Sequence, residues 1–283
     1  VIQGGPSEKV GLMAGDRIVN VDDSLFVGKK LNNELAMRTL KGPKGSQVKL
    51  GVKRVGEPKL LDFTITRGDI PQNTVDAAYM LNDDIGYVKV SKFGRTSHVE
   101  LLNALAQLNH KKCKGLIIDL RGNTGGYMDI AQQLASLVLT WDDTTKVCYK
   151  LTYNSLVGPE WNENFNFVKT GSPLGLDRVV FITTRSSASA SEVVINSLMP
   201  YIDVTIVGDT THGKPAGMNI WGFPFPSESD PEPDYQYVFA PITFEYLNAM
   251  DEGRFYDGIL PDVKAADDIT HDFGDPEEAS LKA

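Results

Sequence analysis

The stretch Arg178-Val-Val-Phe-Ile-Thr-Thr-Arg-Ser-Ser-Ala-Ser-Ala-Ser-Glu192 joins a short apolar run to a serine-rich turn, and from Ala190 to Met199 apolar residues fall at helical spacing. An unbroken Val/Phe/Ile run of this length, closed by small polar residues, reads as a strand buried on both faces, the habit of parallel sheets. Working outward, the same order recurs. Ile85 to Val90 reads as a strand, and Ser97-x-x-Glu100 as a capping box opening a helix whose Leu101, Leu105 and Leu108 share one face. Leu116 to Leu120 is a second buried strand, after which Gly125-Gly126 opens a helix carrying Ile130, Leu134, Leu137 and Val138. Asp203 to Gly208 is the next strand. Strands alternating with helices define the α/β class.

Toward the N-terminus the rhythm differs. Pro6-Ser-Glu-Lys-Val-Gly-Leu-Met-Ala-Gly-Asp16 reads as a short helix closed by Gly15, and Arg17 to Val21 alternates as a strand. Leu31 to Leu40 has helical spacing up to Gly42-Pro43, and Gln47 to Val55 alternates again. These make a small α+β module over residues 1–67, followed by a punctuated linker at 68–83 and a core over 84–283. Within the core, 141–177 is an aromatic-rich irregular insertion, and 224–236 is a proline-rich loop in which Glu228, Asp230, Glu232 and Asp234 alternate.

Composition narrows the function classes. The 283 residues suffice for two domains and a substantial core, and 41% apolar with 23% charged residues is the balance of a soluble globular protein. A net charge of −9 argues against nucleic acid as a partner. No apolar run approaches the roughly 18 residues of a membrane-spanning helix. Cys113 and Cys148 are too few for a disulfide framework and lack metal or redox spacing, although one bridge between them stays open. The chain starts at Val1 without a signal-like segment, which reads as a piece of a longer precursor.

Chemistry concentrates in three turns. Arg185 to Glu192 lies between a strand end and a helix start, where backbone N–H groups converge on whatever is bound. A serine hydroxyl there can attack a carbonyl while the following N–H holds the oxyanion; equally, serine is a favoured helix cap. Thr210-Thr-His-Gly-Lys214 offers two bases, Lys214 if it is desolvated beside few carboxylates, and His212 without that requirement. Asp119-Leu-Arg-Gly-Asn-Thr-Gly-Gly126 is a second glycine-rich strand-to-helix turn, with neither a dinucleotide fingerprint nor a phosphate-loop Gly-Lys-Ser/Thr. Two such turns at neighbouring strand ends can furnish the two halves of an oxyanion hole.

The order of Asp119 to Gly126, Ser187-Ala-Ser-Ala-Ser-Glu192 and Gly208-Asp-Thr-Thr-His-Gly-Lys214 resembles the carboxyl-terminal processing peptidases, also called tail-specific proteases. The resemblance implies a crotonase-like peptidase core of repeated strand-strand-helix units, preceded by a small PDZ-like domain that here lacks its first strand. Ser189 is then the nucleophile and Lys214 the base, twenty-five residues apart as in the family. The oxyanion donors fall on the N–H of Ala190 and on Gly125 or Gly126, with Gly125 the first choice. Gly258-Ile-Leu-Pro-Asp-Val263 is similar to the family's Gly-x-x-Pro-Asp element, and Gly5 to Ile18 to a bacterial PDZ core. His212 replaces the family phenylalanine and Met218 a frequent glutamine, which leaves the residue orienting Lys214 unassigned.

The expected function is therefore a serine endopeptidase cleaving flexible C-terminal regions of proteins through an acyl-enzyme, with no metal or organic cofactor. Trp141, Tyr149, Tyr153, Trp161, Phe165 and Phe167 either line a substrate channel or pack. A different class stays open, a non-catalytic ligand- or peptide-binding module on the same core, as does a hydrolase using His212 as base with an aspartate partner. The resemblance also implies the periplasm or cell envelope of a bacterium; oligomeric state is not readable.

Overall fold

A computed structural model gives the structure and describes every residue except 3, 14, 29–30, 111, 140–143, 157, 172, 226–233, 235, 269 and 272. The core is organised by a six-stranded sheet in the order Val263–Lys264, Asp203–Gly208, Arg178–Thr183, Gly115–Asp119, Ile85–Val90, Val75–Met80. The first five run parallel, as the unbroken apolar runs require, and Val75–Met80 is antiparallel to its neighbour. Phe181, Ile118 and Val88 of the sheet are fully buried, as are Leu134 of the helix Met128–Val138 and Val194, Ile195 and Leu198 of the helix Ala190–Leu198, two helices that pack on each other. Each such side chain removed from water contributes about 1.5–3 kcal/mol.

Register places the site. Ile182 stands opposite Asp119, Thr183 opposite Gly208, and Gly208 opposite Lys264, so the carboxyl ends of four strands are level. The loops after Asp119, Thr183 and Gly208 leave one crest side by side.

Three expectations are corrected. The linker expected at 68–83 contains the edge strand Val75–Met80, paired with Ile85–Val90. Thr74 closes the punctuated stretch, and Glu100 anchors the start of the edge strand: its Oε2 accepts from Thr74 N–H at 2.7 Å, Val75 N–H at 2.9 Å and Thr74 Oγ1 at 3.0 Å. Burial opposes charge on Glu100, yet these donors hold its carboxyl below the usual range. The expected Ser97–Glu100 capping box is therefore not made; Ser97 Oγ instead accepts from Gly94 N–H at 2.7 Å and donates to Lys92 O at 3.1 Å. Nor is 141–177 irregular. Val147–Tyr153 and Glu163–Asn166 join Ala216–Met218 and Ile242–Leu247 in a second, antiparallel sheet of four strands.

The strand Val263–Lys264 continues the Gly258 to Val263 element, and Asp262 fastens it by accepting Ile206 N–H on Oδ2 at 2.8 Å and donating its own N–H to Ile206 O at 2.9 Å. Most of the acidic loop at 224–236 lies outside the described residues; Trp221–Phe223 and Tyr237–Phe239 flank it as a two-stranded ribbon. The N-terminal unit is an antiparallel sheet ordered Ser24–Leu25, Arg17–Val21, Gln47–Lys53, Leu61–Thr66 around Leu12, Val21, Val48, Leu50, Val52 and Ile65. Its first helix is only Pro6–Lys9, and its second starts at Asn33, where the Asn32 side chain accepts Leu35 N–H at 2.8 Å. Cys113 and Cys148 are both buried free thiols, and no described helix is long and apolar enough to cross a membrane.

Candidate active site

Ser189 opens the helix Ala190–Leu198 with φ 57 and ψ −117, a conformation that a residue bearing a Cβ holds only when its surroundings impose it. They do so from both sides. Ser187 Oγ donates to Leu120 O at 2.8 Å and accepts from Thr184 N–H at 3.0 Å, and Ala188 N–H donates to Asn123 O at 3.0 Å. Ser191 Oγ donates to the same Asn123 O at 2.9 Å, and Glu192 Oε2 accepts Ser189 N–H at 2.8 Å. Ser187 and Ser191 are fully buried scaffold, whereas Ser189 keeps 9% exposure. Ser189 thus stands at the helix N-cap and is also the serine of these three that keeps some exposure, so the cap reading and the nucleophile reading fall on one residue.

The turn after Asp119 lies directly against this serine. A Cβ on Gly125, whose φ is +96, would fall 2.8 Å from Ala188 O and 2.9 Å from both Ala190 N and Ser189 Cβ, so only glycine permits the approach. Gly126, at φ +146, is fixed by Phe93, whose carbonyl a Cβ would strike. Gly125 N–H donates to Asn123 Oδ1 at 2.9 Å, and the Asn123 amide donates to Val90 O at 2.9 Å. The N–H of the first-choice glycine is thereby occupied. Among the described residues, Gly126 N–H and Ala190 N–H have no hydrogen-bond partner.

The lysine loop is held by the carboxylate that also holds the serine. Glu192, fully buried, accepts Gly213 N–H at 2.7 Å and Thr211 Oγ1 at 2.6 Å on Oε1, and Lys214 N–H at 2.9 Å on Oε2. Its four donors come from the serine turn and the lysine loop, so one side chain sets their relative position. Thr211 in turn accepts Ile259 N–H on its hydroxyl at 2.7 Å, and His212 N–H donates to Ser187 O at 2.9 Å. Lys214 is half-buried, with no ion pair among the described residues; neither Asp203 nor Asp209 reaches it. His212 is exposed, and among the described residues its ring has no hydrogen-bond partner. Met218 is 42% exposed at the end of Ala216–Met218.

Behind the glycine turn is a buried ion cluster. Arg121 Nε and Nη2 meet Asp119 at 3.0 and 2.7 Å, while Nη1 meets Glu278 at 2.7 Å and Asp267 at 3.0 Å. Lys89 Nζ donates to Arg121 O and lies 3.5 Å from Asp119, to which Tyr87 also donates at 2.7 Å. Burial would raise the Asp119 carboxyl, but Lys89 and Arg121 outweigh it and hold the carboxyl below its usual value. Burial dominates at Lys89 and lowers its ammonium, and burial also opposes the charge of Arg121, which Asp119 and Glu278 nevertheless push up. This cluster clamps the start of the turn that ends in Gly125-Gly126.

The structure therefore brings Ser189, Ala190, Gly125, Gly126 and the main chain of Lys214 onto one crest. Sequence reasoning missed Glu192 as the residue joining them, although the Ser189-x-x-Glu192 spacing is itself a capping-box signal. The expected aromatic lining separates. Tyr149 stacks on Phe165 at 4.8 Å and Phe167 packs edge-on against Tyr201 at 5.3 Å, whereas Trp161 is exposed and Trp141 lies outside the described residues. Among the described residues, no group of three or more His, Cys, Asp or Glu side chains is placed to hold a metal ion.

A parallel sheet whose crest carries a constrained serine, a glycine turn and a lysine loop is a mixed α/β peptidase fold. Residues 84–265 match the model of peptidase family S41, and the chain belongs to that family. It is 32% identical over 211 residues to the carboxy-terminal processing protease CtpB of Bacillus subtilis, covering 74% of this chain and 42% of that protein. To CtpA of the same organism it is 31% identical over 265 residues, covering 93% and 52%. The chain thus spans about half the length of these curated relatives. Two solved structures share the fold: an S41 protease assignment from Bacteroides fragilis, with TM-score 0.79, 22% identity and coverage of 100% and 75%, and the photosystem II D1 C-terminal processing protease, with TM-score 0.56, 22% identity and coverage of 99% and 69%.

Proposed function

We propose that this chain is the proteolytic part of a tail-specific serine endopeptidase, with Ser189 as nucleophile and Lys214 as general base. The observation that carries the reading is Glu192, whose Oε2 binds the N–H of Ser189 and the N–H of Lys214 together. In this scheme Lys214 Nζ, in its neutral form, takes the proton from Ser189 Oγ as the oxygen attacks the scissile carbonyl. The carbonyl oxygen becomes an oxyanion held by Ala190 N–H and Gly126 N–H, while Gly125 supplies the clearance behind the serine. The lysine then protonates the leaving amine, and a water deprotonated by Lys214 releases the acyl group from Ser189. A carboxylate paired with Lys214 would hold its proton and oppose this work, and the described residues supply none.

We read the core as crotonase-like and the N-terminal unit as PDZ-like, and we place the protein in a bacterial periplasm or envelope, in keeping with the family resemblance of its motifs. Substrates are proteins with flexible C-terminal regions. The exposure of His212 and the absence of a described carboxylate on its ring favour Lys214 over His212 as base. The test is intact-mass analysis of an unfolded protein with an apolar tail, incubated with native protein and with Ser189→Ala, Lys214→Ala and His212→Ala. Cleavage lost in the first two and kept in the third supports the reading. Cleavage surviving in Ser189→Ala, or absent from the native protein, refutes it, and the latter result favours a binding module.

A further inference from the structure

After the strand Ala216–Met218 and two intervening residues, the chain enters a ribbon that belongs to neither large sheet. In its antiparallel register Trp221 stands opposite Phe239, Gly222 opposite Val238, and Phe223 opposite Tyr237. Cross-strand partners share a face and successive residues alternate, so Trp221, Phe239, Phe223 and Tyr237 all occupy one face and Val238 the other. These four aromatic side chains are 39 to 64% exposed. An isolated two-stranded ribbon is marginal in water, and a continuous apolar face of this kind marks a surface that something covers.

We infer that this aromatic face is a docking surface for the substrate polypeptide, taking an extended apolar stretch displaced from the scissile bond; the inference rests on the proteolytic reading above. Continuity with the site supports it. Lys214 to Trp221 is seven residues, at most about 23 Å of extended chain, so the ribbon begins within reach of a substrate already at Ser189. Area separates this occupant from a second copy of the chain. At roughly 200 Å² per aromatic side chain the face leaves about 400 Å² open, half of the ~800 Å² per partner typical of a stable interface but enough for one extended segment. A net charge of −9 also opposes self-association. Among the described residues no charged group pairs with these rings, and such rings select for apolar and aromatic side chains rather than for a sequence, as a processor of unfolded tails requires.

The test compares two substrates: reduced, carboxymethylated α-lactalbumin, which stays unfolded, and a six-residue fluorogenic peptide. In the double variant Trp221→Ser/Phe239→Ser, the ratio of kcat/KM for long over short substrate falls about tenfold, through KM for the long one. Val238→Ser, on the opposite face, leaves the ratio at its native value. An unchanged ratio in the double variant, or an equal fall in Val238→Ser, overturns the inference. A native dimer in sedimentation that the double variant splits also overturns it, in favour of a second copy. Fluorescence anisotropy of the labelled α-lactalbumin with Ser189→Ala protein reads docking without cleavage. Binding weakened about tenfold by the double variant supports the surface even where hydrolysis fails, so the two readings fall separately.

Discussion

Two buried carboxylates brace the crest by opposite means. Glu192 is satisfied by three backbone N–H groups and the Thr211 hydroxyl, with no cation partner among the described residues, whereas Asp119 faces Arg121 and Lys89, and Glu278 faces Arg121. Neutral donors have fixed directions, so the Glu192 brace is a statement about geometry. The ion cluster is a statement about charge balance: its members tolerate small shifts but not the loss of one sign. The serine and lysine hang on the first kind, and the glycine turn on the second.

Glu192→Gln is the sharpest way to break this contrast. The amide nitrogen faces N–H groups it cannot accept, and kcat falls about a hundredfold or more, as for loss of a preorganised hydrogen bond in an active site. Stability falls by roughly 2–4 kcal/mol from orphaned buried donors; steady-state kinetics and urea unfolding check both. Next comes Arg121→Met, which leaves Asp119 and Glu278 buried without their guanidinium and costs about 3–5 kcal/mol in urea unfolding.

Acid probes the ion cluster. The folded Asp119 carboxyl is held below its unfolded value of about 3.9, so the unfolded chain takes the proton first. Its contribution is complete above about pH 4 to 5 and declines as pH falls through the folded value. Melting temperature measured from pH 6 to pH 3 declines more shallowly in Asp119→Asn, which starts lower. The smallest effect lies in the N-terminal unit, where Asn32→Ala removes a helix cap and lowers that unit's stability by about 1 kcal/mol, read by hydrogen exchange of the Asn33–Leu40 amides.

Legibility in the sequence tracks the range of the interaction. Strand, turn and helix around Ser189 are encoded within the 21 residues from Arg178 to Leu198 by apolar runs and small polar punctuation, and the structure reproduces them within a residue or so. Strand Val147–Tyr153 was hidden because its own burial does not alternate cleanly and, of its two partners, Glu163–Asn166 is a short, mostly exposed strand and Ile242–Leu247 lies far along the chain. Arg121 and Glu278 are 157 residues apart, and no local pattern joins them. Glu100 shows a legible motif put to another use: the spacing announced a cap, and tertiary structure spent the carboxylate on Thr74 and Val75. The proposed preference for Gly126 over Gly125 as oxyanion donor was beyond periodicity, because it turns on where one asparagine side chain points.

The hold of Ile259 on Thr211, and of Glu278 on Arg121, has a consequence in time. Strands 85–90, 115–119, 178–183 and 203–208 all leave the ribosome before residues 259–278 exist, and domains fold largely in that order. A nascent chain can therefore bury most of its sheet while the lysine loop and the glycine turn still lack their last supports. On the proteolytic reading proposed above, the protein is thus disarmed during the interval in which the nearest unfolded polypeptide is itself.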